Sequence, residues 1–235
     1  MIKLPTPPVP DLARAEGNTV DEIIRWFLVY YDADVVPWSY RAGTYCVKQS
    51  YRGLHDIKLL KAGCAREKIE QSKKSNENIV ELAAPIAFGR KTQVFDLPRR
   101  KFPFGRDLFA GYRIPFFFTE DGIVKLYYLQ PRKEFQLTHD QLCMVATIHK
   151  KYLLDTEFFG LRCDLEYVDL CGNPKTKVRE VHKYSLADLD LWPESRLAKR
   201  LTMISEALEF VRNSGVVKPR KRREVPVDPK MPLFD

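Results

Sequence analysis

The residues of this 235-residue chain whose types and spacing bear most directly on chemistry are cationic. Residues 90–106, RKTQVFDLPRRKFPFGR, set Arg90, Lys91, Arg99, Arg100, Lys101 and Arg106 against a single acid, Asp96. Residues 218–223, KPRKRR, add Arg220, Lys221, Arg222 and Arg223 beside Lys218. A third group, Gln130-Pro131-Arg132-Lys133, closes an apolar run with two adjacent bases. Such clusters attract phosphate, because each base that meets a phosphate releases condensed counterions. They also suit an ordinary solvated basic face, which a net charge of +8 allows. Phe102 and Phe104, beside Arg99–Lys101, either stack on unpaired nucleic-acid bases or anchor a loop in the core; the core reading is favoured.

Other chemistries leave little trace. No serine lies in a G-x-S-x-G elbow, and no P-loop or G-x-G-x-x-G opens a helix. His139 and Cys143 stand one helical turn apart, yet no second pair offers ligand spacing for a shared metal. His55, His149 and His182 have no evident partner. The five cysteines are scattered, odd in number and without a C-x-x-C pair, which favours reduced thiols and a cytoplasmic setting. MIKLPTPPVP has too many prolines for a signal peptide, and no apolar run approaches membrane-spanning length.

The elements that must position these residues follow from periodicity. Residues 1–17 read as an extended, Pro-rich lead-in, 18–214 as one α/β domain and 215–235 as a basic, Pro-rich, disordered tail. Thr19 with Glu22 makes a capping box for a helix whose apolar face runs through Ile23, Ile24, Phe27 and Tyr31. Residues 32–53 read as irregular, with a short strand or helix at most. Residues 56–71 read as helical, Asn76 as the cap of a further helix ending at Pro85, 92–97 as a short strand and 98–106 as a basic loop. Leu108–Phe118 and Ile123–Gln130 form a hairpin about Glu120-Asp121-Gly122, with the second strand apolar enough to be central. A helix over 138–155, strands over 161–170 and 178–184, and a helix from Pro193 to Gly215 complete the order. The expected fold is α/β: a three-layer mixed sheet with an αβββαβ core, flanked by extra N- and C-terminal helices.

An αβββαβ order with a tight hairpin between its second and third strands resembles the PD-(D/E)XK, restriction-endonuclease-like superfamily. The resemblance spans about residues 75–170. It implies a helix glutamate, a second-strand aspartate and a third-strand (D/E)-x-K that together hold Mg²⁺ and activate water. On that pattern Glu77 or Glu81 stands for the helix glutamate, and Gln130-Pro131-Arg132 occupies the third-strand positions. The second-strand acid falls near Ile114 or Pro115, where there is none, and Gln130 is a poor ligand for magnesium.

The leading expectation is therefore a non-catalytic nucleic-acid- or nucleoprotein-associated protein with a degenerate nuclease-like fold and no cofactor. Its contacts would be Arg90, Lys91, Arg99, Arg100, Lys101, Arg106, Arg132, Lys133 and Arg220–Arg223, touching DNA or RNA or an acidic protein partner, without a membrane. One alternative is an active Mg²⁺-dependent nuclease using Glu77, Gln130 and Arg132. Another is a protein-interaction component of a bacterial complex, docking through the basic tail and Leu233-Phe234.

Overall fold

A hairpin turn fixes the register of the central sheet. Asp121 and Gly122 take positive φ values of 49° and 71° between the paired residues Glu120 and Ile123, the left-handed pair that a two-residue type I′ turn demands. The computed structural model describes residues 4–33, 39–134, 136–173, 175–176 and 178–217. Helices Val9–Ala13 (α1), Val20–Asp32 (α2), Arg41–Tyr51 (α3), Ile57–Ala62 (α4) and Glu70–Ala83 (α5) precede strands Gln93–Phe95 (β1), Lys101–Gly105 (β2), Leu108–Gly111 (β3), Phe116–Glu120 (β4) and Ile123–Gln130 (β5). His139–His149 (α6) follows, continued by a π-helical turn Lys150–Leu154 and by Asp155–Glu157 (α7). Cys163–Asp169 (β6), His182–Tyr184 (β7) and Glu194–Ser214 (α8) complete the described order.

The main sheet has the order β1-β4-β5-β6-β7, antiparallel except for β5 and β6. The parallel pair needs a crossover, which α6 supplies. Alternation along β5 sends Leu126 and Tyr128 to one face, against α1, α2, α6 and α8, and Tyr127 and Leu129 to the other, against α3 and α5. The mixed α/β sandwich with helices at both ends is the architecture expected from the sequence. Both expected capping boxes form, at Thr19–Glu22 and Thr138–Gln141, and Gly215 closes α8 in the left-handed conformation.

Several local expectations are corrected. The lead-in is not wholly extended: residues 9–13 are helical, and Leu4, Val9, Leu12 and Ala15 are buried in the larger core. Residues 41–51 form a full helix where irregular chain was expected. The helix expected over 56–71 ends at Ala62, and a 3₁₀ turn over Gly63–Arg66 separates it from α5. The basic loop over 98–106 contains a strand, β2, which pairs with β3 in a separate two-stranded sheet. Leu108–Phe118 is accordingly two strands, broken where Arg113 takes φ 64° and Pro115 lacks a backbone donor.

Asn76 is no cap but a buried residue inside α5. Its Oδ1 accepts from the Gly43 backbone N–H at 2.7 Å, and its amide donates to the carbonyls of Ser39 and Ser72 at 3.0 and 2.9 Å. A Cβ on Gly43 would lie 2.8 Å from the Asn76 carbonyl oxygen, so the α3–α5 approach requires glycine there. Asn76→Ala strands buried donors and acceptors and is expected to cost about 2 kcal/mol. The fall in urea midpoint measures it, and an unchanged midpoint removes Asn76 from the α3–α5 joint.

Candidate functional site

The carboxylates that the sequence offered for catalysis do not meet Gln130. Glu77 and Glu81 lie on α5, whose Ile79 and Ala83 pack on the face bearing Tyr127 and Leu129. Gln130 shares the opposite face with Leu126 and Tyr128 by the alternation of β5. Glu81 is engaged by Lys61 of α4. Among the described residues, no three His, Cys, Asp or Glu side chains gather as a metal would need.

The acids that do converge are ones the sequence did not single out. Glu120 ends β4, Glu166 lies on β6, and both face the α3–α5 layer on either side of β5. Arg90 bridges them. Its Nε and Nη2 donate to the two oxygens of Glu120, each at 2.7 Å, while Nη1 and Nη2 donate to those of Glu166 at 3.0 and 2.8 Å. Lys125 donates to Glu120 at 2.9 Å, the Tyr51 hydroxyl donates to Glu166, and the guanidinium lies 5.3 and 5.2 Å from the ring centroids of Tyr51 and Phe118. Hydrogen bonds from Arg90, reinforced by Lys125, pull the Glu120 pKa down to about 2. Arg90, expected as a phosphate contact, is thus committed to internal carboxylates.

A second polar group closes the carboxyl ends of the parallel strands. Gln130 and Asp169 are paired in register, and both are buried. Asp169 Oδ1 accepts from the Cys171 N–H at 2.9 Å. Arg179 donates to the carbonyls of Pro131 and Leu170 at 2.7 and 2.9 Å. Pro131 ends β5 as a residue without a donor must, but the chain stays clamped, since Gly172 N–H donates to the Lys133 carbonyl at 2.9 Å. His149, which has no evident partner in the sequence, is fully buried and finds two in the fold. Its Nε2–H donates to the Tyr112 carbonyl at 3.2 Å and Nδ1 accepts from the Tyr167 hydroxyl, so the ring is neutral, and burial drives its pKa down to about 3.

No protein-family model, curated protein or solved structure matches this chain. The surface itself must supply the functional reading. Arg132 and Lys133 are exposed at the far end of β5. Lys91 lines a shallow depression of about 300 Å³ with Gln93, Thr119 and Glu120 beside the hairpin tip. Eight residues of β5 separate these two ends by about 25 Å. The expected cations therefore form no single patch.

Arg99, Arg100, Lys101 and Arg106 do share one element. They lie on or beside the β2–β3 hairpin, all exposed, and Arg100 pairs with Glu157 at 3.1 Å. Among the described residues, Lys91, Arg99, Lys101, Arg106 and Lys133 make no ion pair. Phe102 and Phe104 point inward, with Phe102 1% exposed, so the core reading holds. Phe109, on the outward face of β3, is 49% exposed and was missed. Reading residues 101–105 as a strand would have found it, because alternation then turns Phe102 and Phe104 inward and Phe109 outward. Arg220–Arg223, Leu233 and Phe234 lie outside the described residues.

Arg90→Ala leaves two carboxylates without their buried counterion and is expected to destabilise the fold by about 3–5 kcal/mol, read by urea unfolding at neutral pH. The pH profile separates His149 from Glu120. His149 binds a proton near pH 6.5 only when unfolded, so stability is lost as pH falls from about 6.5 toward 3; Glu120 adds a further loss from about 4.5 toward 2. Glu120→Gln should flatten the lower limb and leave the upper one. A profile flat from pH 7 to 3 would contradict both assignments.

Proposed function

We propose that this protein is a non-catalytic nucleic-acid-associated protein with a nuclease-like αβββαβ core, in which the β2–β3 hairpin meets the phosphate backbone. The carrying observation is the set of exposed cations Arg99, Lys101 and Arg106, which make no ion pair among the described residues and stand on or beside a two-stranded sheet separate from the main one. Cations of this kind retain their full attraction for an external anion. Those inside, such as Arg90, are already neutralised.

The non-catalytic part rests on the carboxylates. Glu77 and Gln130 lie on opposite sides of the sheet, and Glu120 and Glu166, which converge on a common space, are held by an arginine. A guanidinium that fills both carboxylate forks leaves them little capacity for a divalent cation. The core order α5, β1, β4, β5, α6, β6 supports kinship with the nuclease-like superfamily at the level of topology. In the main sheet, no other strand separates β4 from β5.

The test is a salt titration of binding to labelled DNA and RNA by fluorescence anisotropy. Affinity is expected to fall log-linearly with salt between about 50 and 200 mM, with a slope magnitude near 0.7–0.9 per contacted phosphate. Combining Arg99→Glu, Lys101→Glu and Arg106→Glu should cost at least about tenfold at low salt and shallow the slope by about two. Absence of binding at about 50 mM salt sinks the nucleic-acid reading. Mg²⁺-dependent cleavage that disappears in Gln130→Ala or Glu77→Ala sinks the non-catalytic one.

A further inference from the structure

Beyond phosphate attraction, the hairpin has a second chemical feature. Register pairs Lys101 with Gly111, Phe102 with Ala110, and Pro103 with Phe109. Alternation turns Phe102, Phe104, Leu108 and Ala110 into the core, and Lys101, Pro103 and Phe109 outward. Phe109 is the large aromatic of that outward face. Pro103 stands directly across from it, and Lys101 lies on the diagonal, about 7–8 Å away between Cα atoms. Two residues along the same strand is Gly111, where an added Cβ would find no atom within 4 Å. One flank of the ring is therefore bare, with a cation close by.

We infer that Phe109 is a stacking platform for an unpaired base, and that the strand the hairpin takes is a single-stranded nucleic acid. Aromatic rings on a basic surface reward a base only when its face is available, which excludes a duplex with its bases stacked. The charge is complementary: residues 99–113 carry Arg99, Arg100, Lys101, Arg106 and Arg113, all exposed, against Asp107 as the one acid. Gly105 is tied instead to packing, since an added Cβ there would meet Ser205 of α8 at 2.8 Å. The platform is thus mounted on α8, the helix that also packs against α2 in the larger core.

This inference rests on the nucleic-acid reading above, and the experiment keeps the two apart. The full chain is titrated with a labelled 15-nucleotide DNA strand, its duplex and the matching RNA strand. Phe109→Ala is expected to weaken single-stranded DNA binding roughly 5- to 100-fold without changing the salt slope, and to leave duplex binding unchanged. Phe109→Trp should retain affinity, and its added emission should be quenched on binding. Because Phe109 is half exposed, both variants should keep the parent's unfolding midpoint, which circular dichroism checks. Unchanged single-stranded affinity in Phe109→Ala overturns the platform and leaves the phosphate contact standing. Failure to bind any of the three strands overturns platform and proposed function together.

Discussion

The structure turns on one guanidinium held between two strands that do not touch each other. Glu120 and Glu166 belong to β4 and β6, separated by β5, and Arg90 bonds both from the end of the α5 layer. A buried carboxylate is costly to desolvate, and two side by side repel, so neither is tolerable without the arginine. The arrangement also polices register. Slipping β4 by one residue would turn Glu120 to the opposite face and leave Arg90 with half of its carboxylate bonds. The aromatic cluster of Tyr51, Phe116, Phe118 and Tyr127 packs against the same network, so charge pairing and apolar packing constrain one geometry.

Much of the fold was legible where local chemistry and tertiary demand agree. Thr19 with Glu22, Thr138 with Gln141, the Asp121-Gly122 turn and Gly215 are local devices that act within a few residues, and each sits where it was expected. The failures share a cause: they are residues whose role depends on distant chain. Asn76 looks like a cap because asparagine competes with helical backbone, yet it bonds Gly43 from 33 residues away. The strand Lys101–Gly105 carries a proline and a glycine, which argue against a strand unless it is half of a small, exposed sheet.

The same distance effect governs the charges. Arg90 reads as a member of a basic block because its neighbours are Lys91 and the later arginines. Its partners lie 30 and 76 residues along the chain, and only the folded sheet brings them to it. Conversely, Phe109 attracts no notice in sequence, where it is one aromatic among fourteen phenylalanines. Its exposure follows from the pairing of β2 with β3, and that pairing was not evident in a segment read as loop. The formal charge of +8 therefore says less about available attraction than the division between arginines spent inside and those left outside.

Arg179 carries a consequence of a different kind. Open α/β sheets commonly receive ligands in the crevice beyond the carboxyl ends of parallel strands, where carbonyls and loop termini point outward. Here β5 and β6 are the sole parallel pair of the described sheet, and the carbonyls just past their ends, those of Pro131 and Leu170, are taken by the Arg179 side chain. The protein stoppers its own crevice. What its fold would ordinarily offer as a vestibule has become a pin between two loops, held by the Arg179 side chain.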